Sequence, residues 1–172
     1  MKNALLVIDV QIGLATGAYK ETDVIEAINK TASWVRDRDG IVIFIQHCHS
    51  TFEAMQKGNP GWALHPGLDA QLRDFYVEKE ASDSFYETNL GDLLKDNEVN
   101  HLYITGLQTE YCIDTTCRSA LSRGYSVTLV SDAHTTGDSH LTAEAIIDHH
   151  NKILSNLAHP KSKVQLKSSA DL

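Results

Sequence analysis

Short runs of aliphatic and β-branched residues recur along the chain, separated by stretches whose apolar residues fall on one helical face. This alternation constrains the fold more than any other feature, because buried strands interleaved with amphipathic helices build βα units around a mostly parallel sheet. Ala4–Val10, Ile41–Gln46 and Tyr125–Val130 are continuous apolar runs, the pattern of strands covered on both faces. Phe75–Glu78, His101–Gly106 and Lys163–Lys167 complete the expected strands. Thr22 is expected to cap a helix with Val24, Ile25, Ile28, Ala32 and Val35 on one side, ending at Gly40. Ile113 to Arg123 forms another, closed by Gly124, and Ser139 is expected to cap a third that carries Leu141, Ala145, Ile146, Ile153 and Leu157. The stretch from His47 to Gly67 holds two prolines, three glycines and no clean period, so it is expected to be a long loop of the kind that often carries function.

The chain has 172 residues with no compositional break, which leads us to expect one domain over 1–172. A net charge of −8 with no Lys/Arg block lacks the footprint needed to neutralise phosphates, so nucleic acid is an unexpected partner. The apolar run near the start stops at Asp9, too short to span a bilayer and without a cleavage site, and is expected to be a strand. Neither a membrane nor a signal peptide is expected. Three cysteines without framework spacing suit a reducing cytoplasm, and each thiol has to be judged on its own surroundings.

In open parallel sheets, ligands bind beyond the carboxyl ends of the strands, near the point where strand order reverses. Asp9 closes the first strand, Lys79 closes the third, and Cys112 follows the fourth at the start of a helix. A helix N-terminus and a nearby ammonium favour a thiolate, so Cys112 is expected to be the reactive thiol, while Cys48 and Cys117 pack. Asp9 is positioned to take the thiol proton and later return it to a leaving amine, with Lys79 balancing the charge. Taken singly, a strand-end Asp is commonly a turn cap and a strand-end Lys is commonly solvated. It is their convergence that points to chemistry.

The segments LLVIDVQIGL (Asp9, Gln11), VEKEASDSFYETNL (Lys79, Phe85) and TGLQTEYCIDTTCRSALSRGYSVTLVSDAHTT (Cys112, Asp132) together resemble the isochorismatase-like cysteine hydrolases, which include nicotinamidases, ureide hydrolases and streptothricin hydrolase. The resemblance implies a three-layer αβα sandwich of the α/β class. Its sheet has six parallel strands in the order 3-2-1-4-5-6. It implies an Asp9–Lys79–Cys112 triad, a thioester-type intermediate, and an oxyanion hole from the backbone N–H groups of Gln108 and Cys112. A non-proline cis peptide at Leu107–Gln108 belongs to the same set of expectations. So does hydrolysis of a small amide, ureide or lactam by a cytoplasmic homo-oligomer, dimer or tetramer, with no cofactor. The run GLQTEYCIDTT looks most like the streptothricin-hydrolase branch. True isochorismatases carry a non-nucleophilic residue where Cys112 stands, and vinyl ether hydrolysis is the alternative chemistry. The alternative from another class is a thiol-based binding or redox-sensing protein.

Gln11, His47, Trp62, Phe85 and Tyr111 are the expected substrate-binding residues. Two departures from the family pattern stand out. Nicotinamidases bind a metal through an Asp-x-His pair after the second strand plus a further histidine, whereas here His47 takes the aspartate position beside His49, so no metal is expected even though His47, His49 and His65 are of the right type for zinc. Asp83-Ser84-Phe85 replaces the usual Ser-Ala-Phe, which predicts a pocket of altered polarity.

Overall fold

The computed structural model describes residues 2–172. Its strands are β1 (Lys2–Ile8), β2 (Ile41–His47), β3 (Phe75–Lys79), β4 (Val99–Gly106), β5 (Ser126–His134) and β6 (Val164–Lys167). They form one sheet in the order β3-β2-β1-β4-β5-β6, with every neighbouring pair parallel. The helices are α1 (Ile12–Ala15), α2 (Glu21–Arg36), α3 (Leu90–Asp96), α4 (Asp114–Ser122) and α5 (Ala143–Ser155).

Alternate residues of β1 serve opposite layers, which is why its sequence is apolar throughout. Leu5 and Val7 pack with Val24, Ile28, Ala32 and Val35 of α2, while Leu6 and Ile8 pack on the other face with Leu94 of α3, Ala120 of α4 and Leu154 of α5. The apolar stripe expected for α2 is thus the buried one.

Several expected boundaries move. Thr22 lies inside α2, whose cap is Lys20 in a left-handed conformation, φ 51°, and the helix ends at Arg36 with the reversal at Asp39 rather than Gly40. Thr142, not Ser139, caps α5, its hydroxyl accepting from the Ala145 N–H, and Leu141 and Ala145 are exposed. A Ser or Thr shortly before an apolar run is ambiguous at this spacing, and Ser139 instead hydrogen-bonds with the Leu141 carbonyl in the approach loop.

At the centre of the sheet β1 and β4 run side by side, with Ile8 opposite Gly106. Gly106 has φ 114°, and a Cβ there would stand 2.0 Å from the Ile8 carbonyl oxygen, so no other residue fits. This junction is the point from which the chain leaves to opposite sides of the sheet, through β2 and β3 one way and β5 and β6 the other. A crevice opens there.

Candidate active site

Asp9 follows directly on β1 with φ 54° and is anchored by its N–H to the Ile45 carbonyl at 2.8 Å. Lys79 ends β3, two strands away. Its side chain reaches back across β2 to put Nζ 2.8 Å from Asp9 Oδ2, 3.0 Å from His47 Nδ1, 3.0 Å from the Ala81 carbonyl and 3.2 Å from Cys112 Sγ. Both members of the ion pair are almost completely buried. Asp9 Oδ1 is also buried and has no hydrogen-bond partner among the described residues. A carboxylate oxygen of Asp9, a ring nitrogen of His47 and the Cys112 sulfur lie within 4.8 Å of one another.

Cys112 sits in a π-helical turn, Thr109–Ile113, that leads into α4, with the Ile113 N–H closing back on the Gln108 carbonyl at 3.2 Å. The Leu107–Gln108 peptide is cis, as the resemblance implies. The Gln108 N–H takes no acceptor among the described residues.

The thiol differs from the expectation. Burial, reinforced by the negative charge of Asp9 and opposed by Lys79, pushes the Cys112 pKa up to about 12, so the resting group is a neutral thiol rather than a stabilised thiolate. The ammonium does not outweigh desolvation beside a carboxylate. Cys117 lies wholly in the core and burial pushes its thiol higher still, consistent with packing.

A cleft of about 150 Å³ opens over Cys112, lined by Asp9, Leu14, His47, His49, Phe52, Met55, Gln108 and Tyr111. His47 and Tyr111 therefore lie where the sequence suggests, and three others of the expected substrate-binding set do not. Gln11 is fully buried, and its amide is consumed by backbone: Nε2 donates to the His47 and Trp62 carbonyls at 3.2 and 2.7 Å, and Oε1 accepts from the His47 N–H at 2.8 Å. It fastens the long loop to the sheet. Trp62 turns away from the cleft to donate its indole N–H to Cys48 Sγ at 3.2 Å. Phe85 is core, stacked on Tyr125 at 5.9 Å between ring centroids. The altered Asp83-Ser84 pair is tied to α4 through Ser119 and Thr116 instead of lining the cleft.

Leu14, Phe52 and Met55 were missed from sequence. Their signal was faint: apolar residues in or beside a turn-rich loop. Loop docking depends on close backbone approach, for a Cβ on Gly13 would meet Met55 Sδ at 2.7 Å and the Gly61 carbonyl at 3.1 Å.

The histidines of the suggested metal set do not assemble. His65 Nε2 pairs with Glu21 at 3.1 Å and its Nδ1 accepts from the Gly67 N–H, which uses both nitrogens. Among the described residues, the one cluster of three metal-type ligands is Asp9, His47 and Cys112, and the Lys79 ammonium bonds to all three. The cationic position is taken by the protein itself.

A family model for the isochorismatase domain matches residues 3–159. A streptothricin hydrolase of Streptomyces noursei is 36% identical over 138 residues, covering 78% of this chain and 55% of the relative, so the chain spans about half the length of that protein. The isochorismatase family protein YrdC of Bacillus subtilis is 33% identical, with 77% of this chain and 73% of the relative covered. A crystal structure of an isochorismatase family protein superposes with a TM-score of 0.83 at 36% identity, covering 94% of this chain and 96% of that one. The strand order, the buried groups gathered where that order reverses and these matches agree: the chain belongs to the isochorismatase family.

Proposed function

We propose that the protein is a cysteine hydrolase that cleaves the carbon–nitrogen bond of a small amide, ureide or lactam through a covalent intermediate on Cys112. The observation that carries this reading is the division of labour within one buried carboxylate. Oδ2 is held by Lys79, Oδ1 is buried without a partner among the described residues, and a carboxylate oxygen of Asp9 lies within 4.8 Å of the Cys112 sulfur. A buried unsatisfied carboxylate oxygen is costly, and the natural use for it is to take a proton.

With the thiol pushed up to about 12, a free thiolate is scarce at neutral pH, so proton transfer to Asp9 accompanies attack on the carbonyl carbon. The sulfur–carbon bond forms and the carbonyl oxygen becomes an oxyanion, stabilised by the N–H groups of Gln108 and Cys112; donors of this kind each contribute about 3 kcal/mol. Lys79, 3.2 Å from the sulfur, offsets the charge as it develops there. Asp9 then gives its proton to the nitrogen, the carbon–nitrogen bond breaks and the amine leaves. Water, deprotonated by Asp9, hydrolyses the thioester and restores the thiol.

The streptothricin hydrolase relative supports amide-type rather than vinyl ether chemistry, as does a thiol where true isochorismatases have none. A screen for ammonia or amine release across amides, ureides, lactams and isochorismate tests the reading, with intact-mass detection of an acyl adduct on Cys112. Turnover that survives Cys112→Ala would replace covalent catalysis with the vinyl ether alternative. A homo-oligomer, dimer or tetramer, is part of the same proposal, and light scattering tests it.

A further inference from the structure

Hydrogen bonds on their Nδ1 atoms fix the tautomers of both histidines in the cleft. Lys79 Nζ, 3.0 Å from His47 Nδ1, belongs to a buried ammonium paired with Asp9, and an ammonium only donates. His47 Nδ1 is therefore the acceptor, and in the neutral ring the proton resides on Nε2. His49 Nδ1 accepts the backbone N–H groups of Thr51 and Phe52 at 3.2 and 3.0 Å, which puts its proton on Nε2 as well. Neither Nε2 has a protein partner among the described residues.

An Nε2 that carries a proton has no lone pair for a metal. It is a directed donor. The ring centroids stand 5.8 Å apart, and both residues line the same cleft. The remaining walls of the cleft are largely apolar, from Leu14, Phe52, Met55 and Tyr111, and among the described residues no Arg or Lys lines it. Lys79 lies behind the cleft, paired with Asp9 and with its donors already engaged, so a ligand carboxylate would meet no uncompensated cation there.

We infer that His47 and His49 form a fixed pair of N–H donors, in place of a metal, for an acceptor atom of the substrate, and that the site takes uncharged amide-type compounds and rejects carboxylated ones. This inference rests on the hydrolase reading for its substrate and on hydrogen-bond geometry alone for its tautomers.

Nitrogen-15 NMR of the histidine rings at neutral pH, assigned with His47→Gln and His49→Gln, tests the tautomers without any substrate. Both rings should be protonated at Nε2 only, and the His47 preference should weaken in Lys79→Met. A His47 ring protonated at Nδ1, or stoichiometric zinc binding lost in His47→Gln, overturns the donor pair. Ligand class is tested with three aldehydes that add Cys112 across their carbonyl group, the sulfur bonding to carbon and the thiol proton passing to oxygen, with no oxidation. Methyl 4-oxobutanoate, butanal and 4-oxobutanoate are compared as protectants of Cys112 against alkylation. The uncharged ester should protect best and the carboxylate at least about tenfold less well. The ester's advantage over butanal should disappear in His47→Leu and persist in His47→Gln. Equal or better protection by 4-oxobutanoate overturns the substrate class. If no aldehyde protects, the nucleophile assignment fails, while the NMR result still decides the donor pair.

Discussion

At Cys112 the same two neighbours act in opposite directions, and this separates thiol acidity from catalysis. The charge of Asp9 raises the thiol pKa and that of Lys79 lowers it. Asp9→Asn should therefore make Cys112 alkylate faster at neutral pH and Lys79→Met slower, although each should cut turnover by roughly 10²-fold or more, as loss of a positioned acid/base partner does. Iodoacetamide kinetics with peptide mapping, beside steady-state assays, give both numbers. A variant in which alkylation and turnover fall together on losing Asp9 would mean that Asp9 deprotonates the resting thiol. The ion pair also has a structural consequence. Removing one member leaves the other buried and uncompensated, at a cost of about 3–5 kcal/mol, whereas Asp9→Leu with Lys79→Met should recover part of it. Denaturant titration of the singles and the double measures this. If each single variant unfolds at the native midpoint, the pair is not buried as the distances require.

Among the elements, the turn that carries Cys112 is braced from β5. His134, fully buried at the end of that strand, bonds through Nδ1 to the Thr109 hydroxyl at 2.9 Å and through Nε2 to Asn151 Oδ1 of α5 at 2.9 Å. Burial lowers its pKa to about 4, against an Asn151 hydrogen bond that raises it. The folded pKa lies below the unfolded value of about 6.5, so the neutral ring contributes stability that is full above pH 6.5 and drains away as the pH falls toward 4, up to about 3 kcal/mol. Denaturant midpoints between pH 7 and 4 should fall more steeply for the native chain than for His134→Gln, and equal slopes would remove His134 from the brace. This contact was not legible, because the partners of His134 come from α5 and the Cys112 turn, which no local pattern links. Strands were legible because burial on both faces writes itself as continuous Val, Ile and Leu. The meeting of Asp9, Lys79 and Cys112 was legible because strand ends are. Gln11 and Trp62 were misplaced because their roles depend on how the long loop folds, through short 3₁₀ turns at Glu53–Met55 and Pro60–Trp62 that leave little periodicity to detect, and Phe85 because its stacking on Tyr125 joins segments forty residues apart.

For the molecule as a whole, a net charge of −8 surrounds a cleft whose own charges are already internally paired. No helix among the described residues is long and apolar enough to cross a membrane. Long-range repulsion thus acts on an anionic ligand before it reaches the cleft, and the desolvation of its carboxylate acts once it arrives. Salt distinguishes the two, since screening shortens the range of the first and leaves the second nearly intact; the Debye length falls from about 30 Å at 0.01 M to about 8 Å at 0.15 M ionic strength. Protection of Cys112 by 4-oxobutanoate should improve severalfold over that interval yet remain weaker than protection by butanal, whose own value should not move. Convergence of the two at high salt would assign the selectivity to net charge alone. Protection by the carboxylate that weakens with salt would require a cation in or near the cleft, which the apolar walls and the engaged Lys79 do not supply.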